Sequence, residues 1–115
     1  MRRDDAIRIR HMIEAAEACE RFVSGRSRAE LEINLMLRFA LVRAAEIFGE
    51  AASKVSLETR MSAPSIPWRE IVAMRNRLIH AYFDIDHDVL WKAATEEIPT
   101  LSVALRAILP SNQTR

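Results

Sequence analysis

The sequence predicts an all-α fold, an up-and-down bundle of four main helices. Three observations carry that expectation. Ala, Leu, Glu and Arg, all good helix formers, dominate the chain. Two glycines and four prolines punctuate 115 residues, too few turn-formers for an all-β fold of many short strands. Apolar residues then recur at helical spacing in four successive stretches. The length suits one domain with one core, expected over residues 4–109 of the 1–115 chain, followed by a polar tail at 110–115.

The first helix is expected over 4–23. Ile9, Met12, Ile13, Ala16, Cys19 and Val23 form its apolar stripe, and Asp4 and Asp5 suit a helix N-terminus. Cys19 falls on the stripe and reads as a small buried hydrophobe, whereas His11 lies off it and reads as a surface residue. Ser24-Gly25-Arg26-Ser27 is a turn, with Gly25 free to take the left-handed conformation that closes helices. Ser27 and Glu30 have the spacing of a capping box. A long second helix follows over 28–57, with a possible break near Glu32. Leu37, Ala40, Leu41, Ala44, Phe48, Ala51 and Val55 form its stripe, and Glu50 and Lys54 are spaced for an i,i+4 pair. Gly49 inside this pattern costs about 1 kcal/mol against alanine, which points to another helix approaching closely there.

Residues 58–66 read as a linker. Pro67 fits the start of a third helix, which Trp68, Ile71, Val72, Leu78 and Ile79 continue. Asp84-Ile85-Asp86 makes the last turn, with Asp86 as N-cap of a fourth helix from His87 to Leu109. Its face is Leu90, Ala94, Ile98, Leu101, Leu105 and Ile108, and Pro99 within it predicts a kink.

No apolar run is long enough for a transmembrane helix, no signal-peptide pattern follows the charged N-terminus, and a single cysteine permits no internal disulfide. A cytoplasmic protein without a membrane partner is expected. The net charge of +1 gives no global electrostatic case for nucleic acid. Of the 17 basic residues only Lys54 and Lys92 are lysines, and arginine offers the planar fork that suits phosphate.

Residues 74–83, Met74-Arg75-Asn76-Arg77-Leu78-Ile79-His80-Ala81-Tyr82-Phe83, concentrate a histidine, two arginines, an asparagine and the chain's single tyrosine. His80 can move a proton near neutral pH. Arg75 can hold a phosphate through two parallel hydrogen bonds and stabilise charge growing on it. Asn76 shares a helix face with His80 and could orient the imidazole or bind a phosphate oxygen. Arg75 lies five residues from His80, about 140° around an ideal helix, which suggests a composite site completed by a second copy across a symmetric interface.

Such a pair can cleave RNA without metal: a base takes the 2′-hydroxyl proton, the oxygen attacks the adjacent phosphate, and a 2′,3′-cyclic phosphate results. His80, Asp84, Asp86, His87 and Asp88 lie close in sequence but lack a recognisable zinc spacing, so neither metal nor cofactor is expected. Each residue also has a plain structural reading. His80 can cap or pack, Tyr82 can be a half-buried aromatic, and Trp68 and Trp91 can anchor a core or an interface. The 84–88 stretch can be a solvated capping turn.

The pattern Arg75-x4-His80-x-Tyr82 resembles the motif of the HepT-like toxins of the HEPN superfamily. Phe48-Gly49-Glu50-Ala51-Ala52, Ile66-Pro67-Trp68-Arg69-Glu70-Ile71, Tyr82-Phe83-Asp84-Ile85-Asp86, Leu90-Trp91 and Ile98-Pro99 are similar to family signatures, in the family's order. The resemblance implies an all-α homodimer whose two motifs line one cleft. It implies a metal-independent endoribonuclease, the toxin of a type II toxin–antitoxin pair. Arg75 and His80 would be catalytic and Asn76 supporting. It also implies a minimal nucleotidyltransferase antitoxin that transfers AMP from ATP to Tyr82, a type VII form of neutralisation. Bulk and negative charge would then stand beside a cleft that must admit RNA phosphate. The alternative is a HEPN module that binds a nucleotidyltransferase, a nucleotide or RNA without cutting.

Overall fold

The computed structural model describes residues 1–80 and 84–110. Its elements are α1 (Arg3–Val23), α2 (Glu30–Ile33), α3 (Leu35–Ser53), α4 (Leu57–Ser62), α5 (Trp68–His80), α6 (His87–Lys92), a π-helical turn (Ala93–Glu97) and α7 (Ile98–Ile108). No strand occurs among the described residues. The fold is therefore all-α, as the periodicity requires.

α3 is the central element. It packs against α1 on one side and α5 on the other, while α1 also contacts α7 and the π-turn. The expected stripes supply the core. Ile9, Met12, Ala16 and Cys19 of α1 are buried against Leu41, Ala44, Phe48 and Ala52 of α3, and Ile98 and Leu105 close the other side. Burial in this apolar layer, together with Glu20 nearby, pushes the Cys19 thiol up to about 11, so it behaves as a packing group rather than a nucleophile.

The ends of α1 follow from chemistry. Gly25, at φ +72°, takes the left-handed conformation after the helix, and the N–H of Arg26 returns to the Val23 carbonyl at 2.9 Å. At the other end Asp5 turns inward and is buried. Its carboxylate accepts hydrogen bonds from the Ser56 N–H (2.8 Å), the Ser56 hydroxyl (2.5 Å) and the Thr59 hydroxyl (2.6 Å), tying α1 to the first turn of α4. Burial raises the Asp5 pKa, but the bonds from Ser56 and Thr59 outweigh it and hold the carboxyl below its ordinary value. A depressed folded-state pKa contributes stability above the unfolded value, near pH 4, and that contribution is lost as the pH falls further. Asp5→Ala is expected to cost about 2–3 kcal/mol at neutral pH, since it removes a charged acceptor and strands its donors. It should also flatten the acid limb of stability, and urea melts between pH 3 and pH 7 check both effects.

Three boundaries differ from expectation. The break expected near Glu32 in the second helix falls at Asn34, whose side chain accepts the Leu37 N–H at 3.0 Å and caps α3. Ser27 does not form the expected capping box, because α2 begins at Glu30 with no side-chain cap. The linker expected over 58–66 is in part helical: Ser56 caps α4, a single short helix with only Thr59 buried. At Pro99, where a kink was expected, the helix is irregular: a π-turn stands just before the proline. Proline cannot donate to the carbonyl four residues back, and its ring would clash with that group. The wider turn avoids the clash, with the Ile98 N–H reaching the Ala93 carbonyl and the Thr100 hydroxyl donating to Glu96 at 2.7 Å. Asp86 caps α6 as expected, accepting the N–H groups of Asp88 and Val89.

Candidate functional site

Helix α5 carries the motif, and Gly49 of α3 sets how closely it lies. A Cβ built on Gly49 would stand 2.2 Å from the Arg75 Cβ and 3.2 Å from the Ile71 carbonyl oxygen. The helices touch backbone to side chain at this point, as the costly glycine foretold. The result is that Arg75 leaves α5 directly above α3.

Arg75 is half-buried. Its Nη2 donates to the Glu50 carboxylate at 2.5 Å and its Nη1 to the Asn76 side-chain oxygen at 3.0 Å. The Nε is buried without a partner among the described residues. Glu50 also lies 3.5 Å from Lys54, so the expected Glu50–Lys54 pair forms but is shared with Arg75. Two of the three nitrogen positions of the guanidinium are thus fixed, and its direction is set before any ligand arrives.

His80 is the last residue of α5 and is exposed, with no hydrogen bond among the described residues. Asn76 is exposed and engages Arg75 rather than the imidazole. The structure therefore joins Arg75 to Asn76 and leaves His80 apart at the helix end. Tyr82 lies outside the described residues. Arg77 is exposed, and Glu46 is largely covered and stands 3.7 Å from Arg43.

Around Arg75 opens a groove of about 390 Å³. The α3 residues Arg43, Glu46, Ile47, Glu50 and Lys54 form its floor, Arg8 and His11 of α1 one wall, and Arg75 and Ile79 of α5 the other.

The acidic and imidazole groups of the last turn have other work. Glu32 receives His87 Nδ1 at 3.0 Å and Arg28 at 2.7 Å, and Arg28 also reaches Asp88 at 2.6 Å. Hydrogen bonding from His87, then from Arg28, holds the Glu32 pKa below its usual value. Among the described residues no three His, Cys, Asp or Glu side chains converge as a metal site.

Residues 12–108 match the family model described as "Ribonuclease HepT-like". The chain belongs to that family. "Probable ribonuclease HepT" of Thermococcus cleftensis is 39% identical over 88% of this chain and 92% of its own length. "Putative RNase TTE0752" of Caldanaerobacter subterraneus subsp. tengcongensis is 34% identical over 88% of this chain and 90% of its own. "Putative RNase MJ1380" of Methanocaldococcus jannaschii is 46% identical over 59% of this chain, a match spanning 62% of that relative. No solved structure is a significant match.

In this HepT-like chain the motif was readable as a linear string, but two neighbours of Arg75 were not. Glu50 was legible as a partner of Lys54 but not of Arg75; the signal for that contact is Gly49, since a glycine that admits another helix makes the next residue a candidate partner of whatever arrives. His11 carries no such signal, since an exposed histidine off the core stripe looks like any surface residue until α1 is laid beside α3.

No described helix is long and apolar enough to cross a membrane.

Proposed function

We propose that this HepT-like chain is a metal-independent endoribonuclease, the toxin of a toxin–antitoxin pair acting in the cytoplasm. The observation that carries the reading is the Arg75 guanidinium, fixed by Glu50 and Asn76 at the edge of a groove lined by four cationic side chains, five residues before an exposed histidine. The names of the relatives point the same way.

In this reading His80 takes the proton from a ribose 2′-hydroxyl. The freed oxygen forms a bond to the adjacent phosphorus, the bond from phosphorus to the 5′-oxygen breaks, and a proton passes to that leaving oxygen. Arg75 stabilises the negative charge concentrated on the phosphorane oxygens. The products are a 2′,3′-cyclic phosphate and a 5′-hydroxyl. Asn76 keeps Arg75 aimed. Because Arg75 and His80 leave α5 in different directions, a homodimer would supply both groups to one phosphate. Ile33 at the end of α2 and Met36 and Phe39 in the first turns of α3 are exposed, apolar surface of the kind that interfaces cover.

Neutralisation would come from a nucleotidyltransferase antitoxin. The Tyr82 phenolic oxygen would attack the α-phosphorus of ATP and release pyrophosphate, leaving AMP on the tyrosine and its proton with solvent. A second reading, a binding module that does not cut, is favoured by one feature: Glu50 and Asn76 already occupy two nitrogens of Arg75.

The test is RNA cleavage by folded, unmodified protein in EDTA. Cleavage leaving cyclic phosphate ends supports the ribonuclease. Intact total RNA, with growth unaffected on expression, overturns it in favour of the binding module.

A further inference from the structure

We propose that the groove between α1, α3 and α5 is a track for the RNA phosphates flanking the scissile one, with Arg8 and Arg43 as its phosphate-binding side chains. The choice of RNA as ligand rests on the ribonuclease reading; the track itself rests on the placement of charge.

Each helix contributes residues at helical spacing. On α1, Arg8 and His11 are three apart, and on α5, Arg75 and Ile79 are four apart. On α3 the floor runs from Arg43 to Lys54, about 16 Å at 1.5 Å per residue. Even in duplex DNA the axial rise between successive phosphates of one strand is only about 3.4 Å, so the floor is long enough for more than one.

Four cationic side chains line this groove against two carboxylates, in a chain whose net charge is only +1. The carboxylates are not equivalent. Glu50 binds Arg75 tightly at 2.5 Å, whereas Glu46 lies 3.7 Å from an Arg43 side chain that is 72% exposed. Arg43 is thus mostly in solvent and only loosely paired, so its guanidinium can turn to a phosphate at little cost in lost ion pairing. Arg8 has neither an ion pair nor a side-chain hydrogen bond among the described residues, although it is partly buried in the groove wall. Arginine held without a partner beside a fixed arginine is suited to a second phosphate of the same strand. Ile47 and Ile79 add apolar surface between the charges, where a ribose or base edge can rest. Arg75 therefore addresses the phosphate at the chemistry, and Arg8 and Arg43 its neighbours.

The experiment is fluorescence anisotropy with a fluorescein-labelled 2′-O-methyl oligouridine, which lacks the attacking hydroxyl and cannot be cut. Binding is measured against salt for wild type, Arg8→Ala, Arg43→Ala and the double variant. Arg106→Ala serves as control, since Arg106 lies on α7 outside the groove, paired with Glu17. Each lost phosphate contact should flatten the slope of log K against log salt by about 0.7, and the double variant by about twice that. The control should keep the wild-type slope, and thermal melts verify folding of every variant. Unchanged slopes in both single variants, or no binding by wild type, overturn the track.

Cleavage of unmodified RNA by wild type is scored separately. Binding that depends on Arg8 and Arg43 without any cleavage leaves the track standing and removes the ribonuclease. Cleavage with unaltered slopes does the reverse.

Discussion

Alanine at His80 is expected to lower RNA cleavage by about 10²–10⁴-fold, the range that a general base in place contributes. His80 is exposed and ends α5, so its removal should leave the fold and its melting temperature close to wild type. Arg75→Ala should cost about 10²–10³-fold through loss of transition-state charge stabilisation, together with some stability, because Glu50 loses the closer of its two cationic partners. Arg75→Lys separates charge from geometry. A lysine keeps the charge but cannot hold Glu50 and Asn76 with separate nitrogens while facing a phosphate. Initial rates on a single RNA in EDTA measure all three. Wild-type rates in His80→Ala would remove the histidine from the mechanism.

Gly49→Ala is expected to disable the site from the opposite helix. The added methyl would overlap the Arg75 Cβ at 2.2 Å and press on the Arg75 Cγ at 2.9 Å, neither of which is the free end of a side chain. α5 must therefore move away from α3. Overpacking of this kind costs about 1–3 kcal/mol, partly offset by the roughly 1 kcal/mol that alanine returns in helix propensity. Activity should suffer more than stability. A misplacement of about 1 Å can cost about 10²-fold, and the shift falls on Arg75 itself. A Gly49→Ala protein that melts like wild type and cleaves normally would mean the helices tolerate the separation.

These two expectations show how legible the molecule is from its residues. The buried stripes of α1, α3, α5 and α7 were readable because each alternates buried and exposed positions at helical period, as Ile9, Met12, Ala16 and Cys19 do. Helix α4 was not, because Leu57 and Met61 are exposed and only Thr59 is buried, so no apolar period exists to detect. The break was expected near Glu32, but its place at Asn34 was blurred for the converse reason: Ile33, Leu35 and Met36 extend an apolar run across it, yet all three face outward. Asp5 was recognised as a residue for a helix start, but its bonds to Ser56 and Thr59, more than fifty positions away, have no local signature. At the site, spacing alone separated Arg75 from His80 around α5. It could not disclose that Asn76 would turn to the arginine instead of the histidine.

The π-turn before Pro99 has a consequence for how this chain can vary. Its bonds reach five residues back rather than four, so the turn holds one residue more than an ordinary helical turn. Deleting one residue between Ala93 and Glu97 would restore ordinary winding from α6 into α7, but it would set Pro99 in a helix interior, at a cost of about 3 kcal/mol. Replacing Pro99 alone would leave a surplus residue with no reason to bulge. The extra residue and the proline are therefore coupled: a deletion within this turn is penalised unless Pro99 is replaced with it.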